Sequence, residues 1–238
     1  MPKFSQSINL SNQITIVLNG DFSLKISPSP DNSDHINLIN YKKDNFSRKI
    51  TSDLIEINVS EVELEGQKHF DKFNSSIEKK QGVLSSISSF ISDAIEYKNF
   101  VEEKKNNIEL EILLNKKNEK EILIISKNLS VTFGEIHTES IKIKSGNLNF
   151  QHGKLISRSI EINSGNIKGM TIFNPGNKNI KITSSNGSLT VNKNPEFNGL
   201  IEYYGNNLKT INAPKNGDIN SGHFYTKLNN GKIIFNEN

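Results

Sequence analysis

A tandem repeat with a period of 19 or 20 residues constrains this chain more than any other feature. Ile122-Leu123-Ile124-Ile125-Ser126-Lys127-Asn128-Leu129 is followed by Ile141-Lys142-Ile143-Lys144-Ser145-Gly146-Asn147-Leu148 and then by Ile160-Glu161-Ile162-Asn163-Ser164-Gly165-Asn166-Ile167. A looser copy, Ile180-Lys181-Ile182-Thr183-Ser184-Ser185-Asn186-Gly187-Ser188-Leu189, carries two extra residues in its turn. Fainter continuations begin at Ile201 and Ile219.

Each copy has the same physical reading. An alternating I-x-I stretch is a strand with one face turned inward. The Ser-Gly-Asn step after it suits a sharp corner, because Gly and Asn tolerate positive φ. A second alternating stretch (Leu129/Val131/Phe133, Leu148/Phe150, Leu189/Val191) runs on from the bend. One unit is too short to bury its own inner face, so the units must stack. At ~3.3 Å per residue, a unit makes a circuit of about three short strands. The expected fold is mainly all-β: a single-stranded parallel β-helix, or β-solenoid, with coils of 19–20 residues.

Composition agrees with that reading. Asn (35 residues) and Ile (33) dominate the 238 positions, whereas Ala occurs only at 94 and 213. This favours strands and turns over helices. Ile would occupy inward positions and Asn the corners, and a solenoid's thin core explains a hydrophobic content of only 34%. The absence of Cys excludes a disulfide scaffold, a thiol enzyme and a cysteine-ligated zinc site.

Three regions are expected. Residues 1–66 form an N-terminal β region. Ile14 to Phe22 matches the repeat template and weaker matches start at Ile36 and Ile55, so this region holds either the first coils or a small separate β-sandwich. Over 67–107 the period changes to ~3.6, with Phe70, Phe73, Ile77, Leu84, Ile87, Ile91, Ile95 and Val101 on one face and a break at Gly82. This reads as a helical insertion that caps the solenoid or docks a partner. Residues 108–238 carry the repeats, entered through a hairpin or charged turn ending at Lys120.

Residues 131–238 hold 12 Lys and Arg against 7 Asp and Glu. These cations are scattered singly rather than gathered into a stripe with interleaved aromatics, so no specific nucleic-acid partner is expected. No apolar run approaches the ~18 residues of a membrane span, and MPKFSQSINL lacks the apolar stretch of a secretory signal. A cytoplasmic location is therefore expected, with envelope association or non-classical export as the alternatives.

The residues offer little reactive chemistry. Glu135, Glu139, Glu161, Glu196, Glu202 and Asp218 are scattered, and Glu161 is expected to form a surface ion pair with Lys142 of the adjacent coil. The five histidines (35, 69, 137, 152 and 223) lack metal-ligand spacing, so no metal, cofactor or catalytic residue is assigned. The pairs Tyr203-Tyr204 and Phe224-Tyr225 fall at corresponding places in the last coils. Turned outward they would suit stacking on sugars; alternatively one of each pair points inward and the other covers the C-terminal end. Candidate binding residues are Tyr203, Tyr204, Tyr225, Lys142 and Lys144.

The units Ile141–Phe150, Ile160–Ile167, Ile180–Val191 and Ile219–Phe224 resemble the bacterial putative-adhesin β-strand-repeat domains of the DUF4097-like type. The resemblance implies a right-handed parallel β-solenoid, no catalytic residues, and adhesion or stress sensing at the cell envelope. The leading expectation is a non-catalytic binding or scaffold protein with a protein or envelope-polymer partner. A bactofilin-like self-assembling protein, joined through its solenoid ends, is the first alternative; a glycan-active β-helix enzyme is the second.

Overall fold

The computed structural model describes residues 3–31, 33–39, 46–59, 108–115, 119–150, 155–172, 178–193, 197–214 and 217–237. The expected helical segment 67–107 lies outside the described residues. Every regular element among them is a strand, so the all-β expectation holds there. The first six are β1 (Lys3–Ile8), β2 (Gln13–Pro28), β3 (Asp34–Ile39), β4 (Phe46–Ile50), β5 (Leu54–Val59) and β6 (Ile108–Leu114). Next come the long strands β7 (Glu121–Phe133), β8 (Ile136–Phe150), β9 (Leu155–Ile172) and β10 (Asn179–Lys193). The chain ends with β11 (Gly199–Tyr204), β12 (Asn207–Ile211) and β13 (Asp218–Glu237).

The repeats stack as their sequence demands. β7, β8, β9 and β10 pair in parallel, each strand beside the next in chain order. Ile122, Ile141, Ile160 and Ile180 stand in register, as do Ile124, Ile143, Ile162 and Ile182 two residues on. All eight are buried. Each such isoleucine is worth about 1.5–3 kcal/mol relative to an exposed one, so the two rows supply much of the driving force for stacking. β2 extends both rows through Ile14 and Ile16.

Beyond the repeats the sheet departs from a simple coil-after-coil order. It is mixed: β1 runs antiparallel to β3, β3 to β6, and β4 to β5. The Ile36 match thus belongs to an antiparallel strand and is no copy of the repeat. Ile55 does lie in a strand parallel to β2, opposite Ile16. At the other end β13 inserts beside β10 and leaves β11 and β12 outside it. The inward row in β13 is carried by Phe224, not by Ile219, which is 59% exposed. The strand path begins at β1 and ends at β11, with the two ends unpaired to each other.

The corners work differently from the sequence expectation. Gly146 and Gly165 do not have positive φ; a Cβ on either would lie 2.8 Å from a carbonyl oxygen of the preceding corner, Lys127 and Gly146 respectively. Close approach of stacked backbones, rather than a left-handed bend, calls for glycine here. The left-handed region is taken instead at the corners of flanking strands, by Gly20 in β2 (φ 137°) and Gly231 in β13 (φ 143°).

The corner asparagines serve each other. Asn207 Nδ2 donates to Asn230 Oδ1 (2.9 Å), Asn230 to Asn186 (3.1 Å), Asn186 to Asn166 (3.0 Å), Asn166 to Asn147 (2.7 Å) and Asn147 to Asn128 (2.6 Å). Asn128 then donates to the Asp21 carboxylate at 2.7 Å. Every bond points the same way, and a residue that can only accept terminates the series. Aligned amides polarise one another, which strengthens such a chain. Beside it, Ser145, Ser164 and Ser184 donate to the carbonyls of Asn147, Asn166 and Asn186, bridging each corner from within.

The end bearing β3 is held by a buried ion pair. Lys120, fully buried, places Nζ 3.1 Å from Asp34 Oδ2 and 2.9 Å from the Leu10 carbonyl. Asp34 also accepts the backbone N–H groups of Leu10 (3.0 Å) and Asn115 (2.7 Å). Four segments meet on these two side chains, so the charged turn ends in a structural lysine rather than a solvated one.

Candidate functional site

Alternation along the strands that buries Ile122/Ile124 and their counterparts turns the intervening residues outward. One outward row runs Leu123, Lys142, Glu161, Lys181, Tyr225, Glu202 across β7, β8, β9, β10, β13 and β11. A second runs Ile125, Lys144, Asn163, Thr183, Lys227, Tyr204. Side chains far apart in the sequence thereby line up about 4.8 Å apart on one face.

The middle of the first row holds the expected ion pair. Lys142 Nζ lies 2.6 Å from Glu161 Oε2, and Asn163 Nδ2 donates to Glu161 Oε1 at 3.0 Å. The Lys142 hydrogen bond holds the Glu161 carboxyl below its ordinary value; partial desolvation opposes the shift, and Asn163 and the charges of Lys142 and Lys181 reinforce it. The ion pair therefore persists above the ordinary carboxylate range and is lost only as pH falls through the lowered value. Both side chains are substantially exposed, so its contribution stays below about 1 kcal/mol.

The β11/β13 end of the face carries a denser cluster. Tyr204 donates its hydroxyl to Glu202 Oε1 at 2.8 Å, and His223 Nε2 stands 2.6 Å from Glu202 Oε2. Both carboxylate oxygens are thus engaged. The Tyr204 hydrogen bond, followed by that of His223, lowers the Glu202 carboxyl, while the same Glu202 contact raises the Tyr204 phenol. The Tyr204 and Tyr225 rings lie 5.5 Å apart at 36°, and His223 meets Tyr225 edge-on at 6.2 Å. An open groove beside the cluster is lined by Ser159, Glu161, Asn179, Lys181, His223 and Tyr225, with Ile160 and Ile180 between them.

The sequence candidates divide accordingly. Tyr204 and Tyr225 come together. Tyr203, in register with Thr226 on the inner side, instead lays its ring 6.0 Å from Phe235 and covers the end of the core. Phe224 is fully buried, so its neighbour Tyr225 faces out. Lys142 stands three strands from Tyr225, roughly 14 Å. Lys144 lines a separate groove with Ile125, Asn163 and Lys227. Sequence reasoning missed Glu202 and His223 as cluster members. The signal was their outward position next to the inward Ile201 and Phe224, but it depends on β11 pairing with β13, which chain order conceals. Among the described residues no group of three or more acidic or histidine side chains could hold a metal ion, and no helix is long and apolar enough to cross a membrane.

No family model matches the sequence, and no curated protein matches it. Solved structures do. A "putative cell adhesion protein" from Clostridium sporogenes is 12% identical, with a TM-score of 0.52 over 100% of this chain and 99% of its own. The two share a fold. A "putative adhesin" from Bacteroides fragilis is 11% identical with a TM-score of 0.44, over 99% of this chain and 97% of its own.

Proposed function

We propose that this chain is a non-catalytic binding or scaffold protein: an adhesin-like β-solenoid of the DUF4097-like type whose stacked coils present a polar face to a protein or cell-envelope polymer. The observation that carries the reading is the registered outward face, with its charged row leading into an exposed aromatic cluster. The fold shared with the clostridial "putative cell adhesion protein" agrees with it. A paired-carboxylate glycosidase is disfavoured by the same register. Glu161 and Glu202 stand three strands apart, roughly 14 Å, beyond the ~5–9.5 Å that such enzymes need. Sedimentation with purified bacterial envelope preparations tests the reading. The chain should pellet with the envelopes; recovery entirely in the supernatant across several preparations would contradict it.

One observation favours end-to-end self-assembly as a second reading. β1 and β11 end the strand path among the described residues, and an edge strand is a template for pairing with another chain. Light scattering over a hundredfold concentration range should then show growing particles; a constant monomer mass would sink this reading.

A further inference from the structure

From the binding reading above, we infer that the Tyr204–Tyr225–Glu202–His223 cluster is a sugar-binding platform that takes a pyranose ring of a neutral polysaccharide. Two features of the cluster select that chemistry. The first is an aromatic surface held outward: Tyr204 is 49% exposed, beside Tyr225 at 5.5 Å, on a rigid sheet where the inward neighbour Phe224 anchors the strand. The C–H face of a sugar stacks on such rings, because aromatic faces carry negative potential and give up little entropy when ordered. The second is a fixed acceptor at the rim. Glu202 is oriented through both oxygens by Tyr204 and His223, yet remains partly exposed. A carboxylate so held can still accept from a pair of sugar hydroxyls through its remaining lone pairs.

The surroundings argue against other occupants. Glu202 within the cluster repels a phosphate backbone, and Lys181 is the one lysine or arginine among the described groove residues, so nucleic acid is disfavoured despite the stacking surface. The groove is lined by Ser159, Asn179, Lys181 and His223 together with Ile160, Ile180 and the Tyr225 ring, an open mixed surface that suits the polar edges and C–H faces of a sugar better than the enclosed apolar pocket that a protein anchor residue fills. Asn179 and Lys181 project from β10 beside His223 and Tyr225 of β13, so a polymer lying across the strands would meet polar groups at each step.

Affinity electrophoresis of the full chain through gels containing dextran, mannan, laminarin or xylan tests the inference. Retardation is expected in at least one gel. It should weaken about tenfold or more in the Tyr204→Ala/Tyr225→Ala double variant and several-fold in Glu202→Gln, whose site lies outside the core. Circular dichroism and thermal melting confirm that each variant is folded; should the double variant unfold, Glu202→Gln decides. No retardation in any gel, or retardation unchanged in the folded variants, overturns the inference. Pelleting with envelopes without retardation, or pelleting abolished by protease treatment of the envelopes, overturns the sugar platform while leaving the binding reading intact. Failure to pellet as well removes both.

Discussion

The four stacked strands β7–β10 and the regions that flank them solve the same packing problem by different means. In β7–β10 chain order and sheet order coincide, and one sequence motif repeated at 19, 19 and 20 residues sets the register. Ile lies on Ile, Asn bonds to Asn, and Gly admits the neighbouring corner. At two joins to the flanks the sheet neighbours are distant in sequence: β2 meets β7 across 107 residues at the Asn128–Asp21 bond, and β13 meets β10 across 44. The Ile row reaches β2 and the Asn series reaches β13, but chain order does not specify these joins. Unique side chains add to the pattern there: the Lys120–Asp34 pair, the Asp21 terminus of the amide series, and Phe224 in place of Ile. Repetition sets register where chain order and sheet order coincide, and singular polar or aromatic contacts reinforce it where the chain jumps.

The comparison can be broken most severely in the repeat. Ile143→Asp places a carboxylate in a fully buried row and should abolish folding, seen as loss of the far-ultraviolet strand signal. A folded Ile143→Asp protein would refute the inward assignment.

Next in size is the flank. Lys120→Met leaves Asp34 buried with its charge uncompensated and should cost about 3–5 kcal/mol by urea denaturation. Combination with Asp34→Asn should cost less than the sum of the two single variants, because the orphaned charge is then gone. Additivity would show that the pair does not act as a unit.

Thr226 sharpens the contrast with an effect of opposite sign. It takes the place of the isoleucine in the second inner row, is fully buried, and its hydroxyl has no hydrogen-bond partner among the described residues. Thr226→Val keeps the shape and should stabilise the protein by about 1 kcal/mol. An unchanged or lowered melting temperature would show that the hydroxyl is satisfied.

A single corner amide carries less. Asn147→Ala removes one donor and one acceptor at a solvent-exposed corner and should cost about 0.5 kcal/mol. Asn147→Asp should cost more at neutral pH, because the carboxylate faces Asn128 Oδ1 without a proton to donate. The excess should fade as pH drops and the carboxyl regains that proton. A cost independent of pH would contradict the directional series.

The inner rows were legible because their signal is local. Ile at alternate positions followed by Ser-Gly-Asn states both the face and the bend, and the spacing then places Lys142 beside Glu161. The corner chemistry was read less well. Asn was assigned to backbone conformation, whereas its role is lateral and needs a neighbour on the adjacent strand to become visible. The aromatic cluster was half legible: Tyr203, Tyr204 and Tyr225 were candidate rings with the inward or outward position of each left open, but Glu202 and His223 join Tyr204 and Tyr225 only because β13 slips between β10 and β11. Lys120 looked like part of a solvated charged turn, since nothing near it in sequence announces Asp34. Long-range order, not residue type, was the missing information.

Register in the repeat is the central claim, and the absence of cysteine permits a direct test of it. Lys144 and Asn163 are paired across β8 and β9, about 4.8 Å apart at Cα, which a disulfide can span. Under mild oxidation the Lys144→Cys/Asn163→Cys protein should form an intrachain bond nearly quantitatively and keep its strand signal. Lys142→Cys/Asn163→Cys, offset by two residues and roughly 8 Å apart, should not. Equal cross-linking of both pairs, or cross-linking of the offset pair alone, would contradict the stacked register.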